Sequence, residues 1–161
     1  MKQSIAGILL AAFLLCSCSI SRAVREQRET LSGTWNLDNI SYEGNQGSFK
    51  AVLFDDADAI CFEDSEWYFR ENNSTGRYTL KDGSLCTGGD RYIRWSIVER
   101  PENYTNQLQF KFIDAKNKDI GGGLGYRLNI TSLTPQSMTM KSNTRVGSEM
   151  VTVVYEFTKK Q

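Results

Sequence analysis

Cysteine is the most reactive side chain in this sequence. Four are present: Cys16 and Cys18 close together in LLCSCSI, and Cys61 and Cys86 farther along. In a chain exported from the reducing cytosol, Cys61 and Cys86 are most simply a disulfide, with free thiols as the alternative. Such a bridge would restrict the unfolded chain by about 3.5 kcal/mol in the loop-entropy model. A zinc site does not suit the pair, because the sequence contains no histidine and no second cysteine pair to complete four ligands. The same absence removes the commonest general base. No Ser-His-Asp arrangement can form, and neither Ser-Lys nor paired-carboxylate spacing selects particular residues. The expectation is a protein that is not an enzyme and carries no cofactor. Asp55, Asp56, Asp58, Glu63, Asp64 and Glu66 could attract a hard cation, but their spacing is not that of an EF-hand, and an acidic surface loop is the plainer reading, so no metal is expected. Gly121 to Gly125 (GGGLG) lacks the Lys-Ser or Lys-Thr of a phosphate-binding loop, and reads as a flexible entry into a bent strand.

The N-terminus explains the other two sulfurs. Met1 and Lys2 give a positive start, and Ile5 to Leu15 is an apolar run too short to span a bilayer as a helix. Leu15-Cys16-Ser17-Cys18 then resembles the bacterial lipobox, with Leu three residues before the modified cysteine and a small residue directly before it. Cys18 fits that pattern, whereas bulky Leu15 precedes Cys16. The resemblance implies cleavage by signal peptidase II before Cys18, loss of residues 1–17 as a signal peptide, and acylation of Cys18. Ordinary secretory cleavage nearby and a buried apolar N-terminal segment are the alternatives. Each buried methylene contributes ~0.8 kcal/mol, so several acyl chains make a firm membrane anchor. Ser19, rather than Asp, implies outer-membrane attachment in a Gram-negative envelope, with the periplasmic or surface side left open. Residues 18–30, with Arg22, Arg25 and Arg28 set against Glu26 and Glu29, read as a polar tether reaching roughly 20 Å if flexible.

Stepping past the tether, residues 31–161 form one domain on length grounds. Lys and Arg number 19 and Asp and Glu also 19, a balance that argues against nucleic acid as a partner. From Leu31 on, apolar and polar residues alternate with the period of half-buried strands. Trp35 and Leu37, with Asn39, fall on one face of GTWNLDNISYE, and Ile40 on the other. Trp67 and Phe69 share a face, as do Ile93, Trp95 and Ile97; Leu108, Phe110 and Phe112; Tyr126, Leu128 and Ile130; Met138 and Met140; and Val151, Val153, Tyr155 and Phe157. Weaker strands are SFKAVLF and GRYTL. FDDADAICFED suggests one short turn, with Ala57 and Ile60 inward. Turn residues separate the segments. Eight or nine antiparallel strands, each with one apolar face, are expected to close into an all-β up-and-down barrel, which encloses that face and removes the edges. A β-sandwich is the alternative.

Gly33-Thr34-Trp35, opening the first strand of such a meander, is similar to the lipocalin signature, and WYFRENNSTGRYTL resembles the short bacterial lipocalin-like domains of small anchored lipoproteins. The resemblance extends over Leu31 to Lys160. It implies that Trp35 packs across the closed end of the barrel. The C-terminal helix and the Thr-Asp-Tyr motif of many lipocalins are missing. No basic residue to cover Trp35 is identifiable, because Lys159 and Lys160 are read as lying past the last strand. The implied function is non-catalytic binding of a small hydrophobic or amphipathic ligand inside the barrel, against Trp67, Phe69, Trp95, Phe110, Tyr126, Met138 and Tyr155. Tyr126, Tyr155 or Arg94 would orient its polar end. Such large side chains equally suit a solid core. The alternative function is a protein-binding barrel, such as a periplasmic enzyme inhibitor or an envelope assembly factor, with its protein partner open.

Overall fold

A computed structural model of the chain describes residues 20–44, 51–100, 102, 105–146 and 148–161. The signal-peptide reading and the anchor at Cys18 lie outside the described residues. The described chain runs α1 (Arg22–Leu31), β1 (Gly33–Glu43), β2 (Val52–Leu53), β3 (Ala57–Asp58), a 3-10 turn (Ala59–Cys61), β4 (Glu66–Arg70), β5 (Thr75–Leu80), β6 (Gly89–Val98), β7 (Gln107–Phe112), β8 (Tyr126–Leu133), β9 (Ser137–Val146) and β10 (Glu149–Lys159).

Eight of these strands close a barrel in the order β1-β10-β9-β8-β7-β6-β5-β4, and β2 and β3 form a separate two-stranded ribbon. The barrel is the expected meander, and closure leaves it without the free edges that a sandwich would retain. All neighbours are antiparallel, and β1 completes the cylinder by pairing Gly33 to Asn36 with Phe69 to Glu66. Alternation sets the inward face as expected in β4 and in β6 from Ile93 on, and β5, the weaker candidate, buries every second residue in the same way.

Two bulges redirect it elsewhere. In β1 the register against β10 slips between Leu37 and Asn39, so that Asp38 and Asn39 both face water and Ile40 turns inward. The expected face assignment of Asn39 and Ile40 is thereby reversed. One extra residue shifts every later side chain to the other face. A second slip between Ile130 and Ser132 leaves Thr131 and Ser132 exposed and turns Leu133 back toward the core.

The segment expected to be a tether is a helix from Arg22 onward. Ser21 caps α1 by accepting from the Val24 amide, and its hydroxyl meets the Glu99 carboxylate. Val24 and Leu31, two turns apart, are the helix's buried apolar contacts and seat it against the closed end of the barrel. There the Trp35 indole donates to the Leu31 carbonyl at 2.7 Å. β10 is also longer than expected and carries Lys159 into register opposite Trp35. The Lys159 ammonium lies 5.0 Å from the centre of the Trp35 ring and donates to the Thr30 carbonyl at 2.7 Å. Lys159 is thus the basic residue that covers the tryptophan. Gly33 explains its own place in the signature: its φ is +115°, and a Cβ there would come within 3.1 Å of the Lys159 side chain.

Candidate functional site

Opposite α1, the barrel mouth is covered by residues 51–65, which lead into β4. Phe54 and Asp55 take left-handed backbone conformations, with φ of 55° and 51°. Together they turn the chain so that the Phe54 ring drops into the mouth. Its ring centre is 5.0 Å from that of Phe110, 5.5 Å from Tyr126, 5.9 Å from Tyr155, 6.1 Å from Trp67 and 5.4 Å from Phe62. Trp67, Phe110, Tyr126 and Tyr155 belong to the expected ligand-binding set. The structure brings them together around a fifth aromatic from the covering loop.

The cover is latched at several points. Cys61 and Cys86 form the expected disulfide, tying the 3-10 turn to the connection between β5 and β6. Tyr78 donates to Asp56 at 2.7 Å, and Arg91 pairs with the same carboxylate at 3.0 Å, both ions being largely buried. Arg91 also donates to the carbonyls of Thr87, Gly88 and Gly89, so one guanidinium organises the facing loop while holding the cover. Tyr126 donates to Asp55 at 3.2 Å. Burial, reinforced by Asp56, raises the Tyr78 phenol far above its usual range. Burial and Asp55 raise Tyr126 in the same direction. Both tyrosines therefore stay protonated donors to the cover at neutral pH.

Beside the Phe54 plug, an open groove of about 320 Å³ remains. Phe54, Tyr126 and Tyr155 supply its apolar side, and Asp55, Arg127, Ser142 and Asn143 its polar side. Tyr155 shares a hydrogen bond of 2.9 Å with Ser142 at this rim, and burial raises its phenol. The arrangement suits an amphipathic guest with its apolar part down and its polar part at the rim.

The seven expected ligand-contact residues divide between two regions. Trp67, Phe110, Tyr126 and Tyr155 surround Phe54. Phe69, Trp95 and Met138 lie deeper: Phe69 and Trp95 pack edge to face at 5.7 Å, Arg28 of α1 caps Trp95 at 4.5 Å, and Met138 pairs with Phe157 near the closed end. Those three are core beneath the site. Arg94 points outward, away from the interior, so it cannot orient a guest there. Ile60, expected inward, is exposed, and Ala59, Cys61 and Phe62 are buried instead.

The acidic cluster separates into individual ion pairs and hydrogen bonds. Asp56 meets Arg91, Asp64 lies 3.6 Å from Lys81, and Glu66 pairs with Arg77 and Lys160. Among the described residues no group of three acidic or cysteine side chains is arranged to hold a metal ion. In GGGLG, Gly122 and Gly123 have positive φ, and the Asp119 carboxylate accepts from the amides of Gly121 and Gly123, which makes the segment a turn into β8.

Phe54 and Arg91 were missed from sequence. The available signal was the polar pair Asp55-Asp56 directly after the apolar AVLF, which marks a sharp turn ending in an aromatic.

The solved structures most like this one include bovine odorant-binding protein in complex with a selenium-containing odorant, 12% identical over 83% of this chain and 73% of that one, with a TM-score of 0.45. A deswapped triple mutant of that protein is 13% identical, over 81% and 74%, at 0.42. Its complex with undecanal is 10% identical, over 90% and 77%, at 0.40. No curated protein matches the sequence. The family model for the lipocalin-like domain matches residues 31–140, from the end of α1 through the first part of β9, which takes in the tryptophan signature and the whole cover of the mouth. The chain therefore belongs to the lipocalin-like domain family.

Proposed function

We propose that this protein is a non-catalytic binding protein that takes a small apolar or amphipathic molecule into the mouth of its barrel, while anchored to the cell envelope through lipid on Cys18. The observation that carries the binding part is the origin of Phe54. The rings of Trp67, Phe110, Tyr126 and Tyr155 converge on a side chain that belongs to the cover and not to the wall. A guest that displaces the Phe54 ring exchanges one apolar contact surface for another, and its own apolar surface leaves water with a gain of ~25 cal/mol per Å². The deeper residues Phe69, Trp95 and Met138 keep the barrel floor solid, which restricts the guest to the upper half. Asp55, Arg127, Ser142 and Asn143 would meet its polar end.

Titration of the purified protein with a fluorescent fatty acid tests this reading. Saturable binding that tightens in Phe54→Ala supports it; a parent and a variant that both stay folded and bind nothing refute it. The anchor rests on the lipobox resemblance and Ser19, and is tested separately. Cys18→Ser should move the protein from the membrane fraction to the soluble fraction, and an unchanged membrane association would refute the lipid attachment.

A further inference from the structure

The outer wall of the barrel carries a row of cations that meets the mouth only at Arg127. Outward residues of β4 to β7 fall in one cross-strand row, Arg70–Thr75–Arg94–Lys111. The next row runs Ser96–Gln109–Arg127 across β6, β7 and β8. Arg94 and Lys111 stand directly opposite each other, a like-charge pairing that is unfavourable on a sheet face and that a carboxylate relieves only on the Lys111 side. The acids nearby are already engaged: Glu66 and Asp90 flank Arg77, and Asp119 holds Lys111 at 2.6 Å. Arg94 has only a long contact of 3.4 Å to the Asn117 carbonyl. Among the described residues neither Arg94 nor Arg127 has a carboxylate within ion-pairing distance.

These cations line a groove of about 570 Å³ on the face of β6, β7 and β8, walled on one side by Gly123 and Gly125 of the glycine turn. Ser96 and Gln109 supply hydroxyl and amide groups to its floor, and no carboxylate lines it. The volume falls in the range of small-molecule sites. Arg94 and Arg127 are separated by two strand spacings and by two residues along the strands, roughly 12 Å, so their long flexible arms can converge on one anionic group. Guanidinium groups bind phosphate and carboxylate through paired N–H donors.

We propose that this outer groove is a second binding site, for an anionic molecule whose phosphate or carboxylate is held between Arg94 and Arg127 and whose polar body rests on Ser96 and Gln109. It shares Arg127 with the polar rim of the mouth groove and does not involve Phe54; Arg94 on the outer wall belongs to it alone, so R94Q by itself should weaken anion binding and leave fatty-acid binding at the mouth unchanged. The same chemistry is offered by a free anionic metabolite and by an acidic lipid headgroup.

Calorimetric titration with inorganic pyrophosphate and with citrate, at low ionic strength, tests the site. Flotation of the Cys18→Ser protein with vesicles of phosphatidylcholine, with and without phosphatidylglycerol, distinguishes the two sources. Saturable binding of at least one soluble probe is expected, weakened by about tenfold or more in R94Q/R127Q. R94K/R127K should recover part of it, and R22Q on α1 should leave it unchanged. Flotation that depends on phosphatidylglycerol and is lost in R94Q/R127Q identifies a headgroup; soluble-probe binding without flotation identifies a free anion. No saturable binding of any probe, or equal binding by the parent and a folded R94Q/R127Q, overturns the proposal.

Discussion

Replacing Phe54 by alanine and by glycine should give an unusual order of stability. Phe54 has a φ of 55°, in the left-handed region that costs a residue with a Cβ roughly 1–2 kcal/mol relative to glycine. Truncating a fully enclosed phenylalanine costs about 3–5 kcal/mol. This ring sits at the mouth beside the open groove, where water can follow it out, so the loss should fall lower, at about 2–3 kcal/mol. Alanine loses the ring and keeps the backbone strain. Glycine loses the ring and relieves the strain, at an unfolded-chain entropy cost of about 0.4–1 kcal/mol. Phe54→Gly is therefore expected to be about 0.5–1 kcal/mol more stable than Phe54→Ala, the reverse of the order in an ordinary strand or helix. Denaturant unfolding followed by tryptophan fluorescence reads this, with Trp67 only 6.1 Å from Phe54 as a reporter. A glycine variant less stable than the alanine variant would refute the left-handed turn. A ring deletion costing under about 0.5 kcal/mol would refute the plug.

Breaking the disulfide by Cys61→Ser with Cys86→Ser should cost about 3.5 kcal/mol in the loop-entropy model and raise hydrogen exchange in residues 51–64, which mass spectrometry would localise; equal exchange would show that the bridge does not hold the cover. Lys159→Met removes the donor to Thr30 and the cation over Trp35, and should cost about 1–2 kcal/mol by denaturant unfolding. Lys160→Met, which loses only the half-exposed pair with Glu66, should cost under about 0.5 kcal/mol, and equal losses would contradict the assignment of Lys159. Burial raises the Tyr155 phenol from its ordinary value of 10.0, so the fold favours its neutral form. That contribution is complete below about pH 10 and is lost as pH rises further. Tyr155→Phe should flatten the fall in unfolding midpoint above that pH relative to the parent, and an unchanged slope would contradict its burial. Lys159, whose ammonium is depressed by burial, adds stability in the opposite direction there, but it is common to both proteins.

The barrel was legible in the sequence because strand alternation is a local property, visible in runs such as Ile93, Trp95 and Ile97 without knowledge of any partner. The signature glycine and tryptophan were legible for the same reason, and so was the bond between Cys61 and Cys86, once export was inferred from the N-terminus. The misread features depend on contacts distant in sequence. Lys159 meets Thr30 across a separation of 129 residues. The bulge in β1 is defined only against β10. α1 looked like a tether because its buried apolar contacts are just Val24 and Leu31; the barrel end provides the surface that makes them sufficient, since short helices owe most of their stability to packing.

By itself, the sequence determined an all-β meander with its aromatics inward, a cysteine pair suited to one bridge, and a chain without the imidazole on which most hydrolytic chemistry depends. Only the tertiary structure decided that Phe54 fills the mouth, that Lys159 covers Trp35, and that Arg94 and Arg127, which have no carboxylate partner among the described residues, gather on one outer wall. The physical reason is the range of the interactions: periodicity follows from backbone geometry within a strand, whereas a plug, a capping cation and a charged groove exist only once strands far apart in the chain are brought side by side in one register.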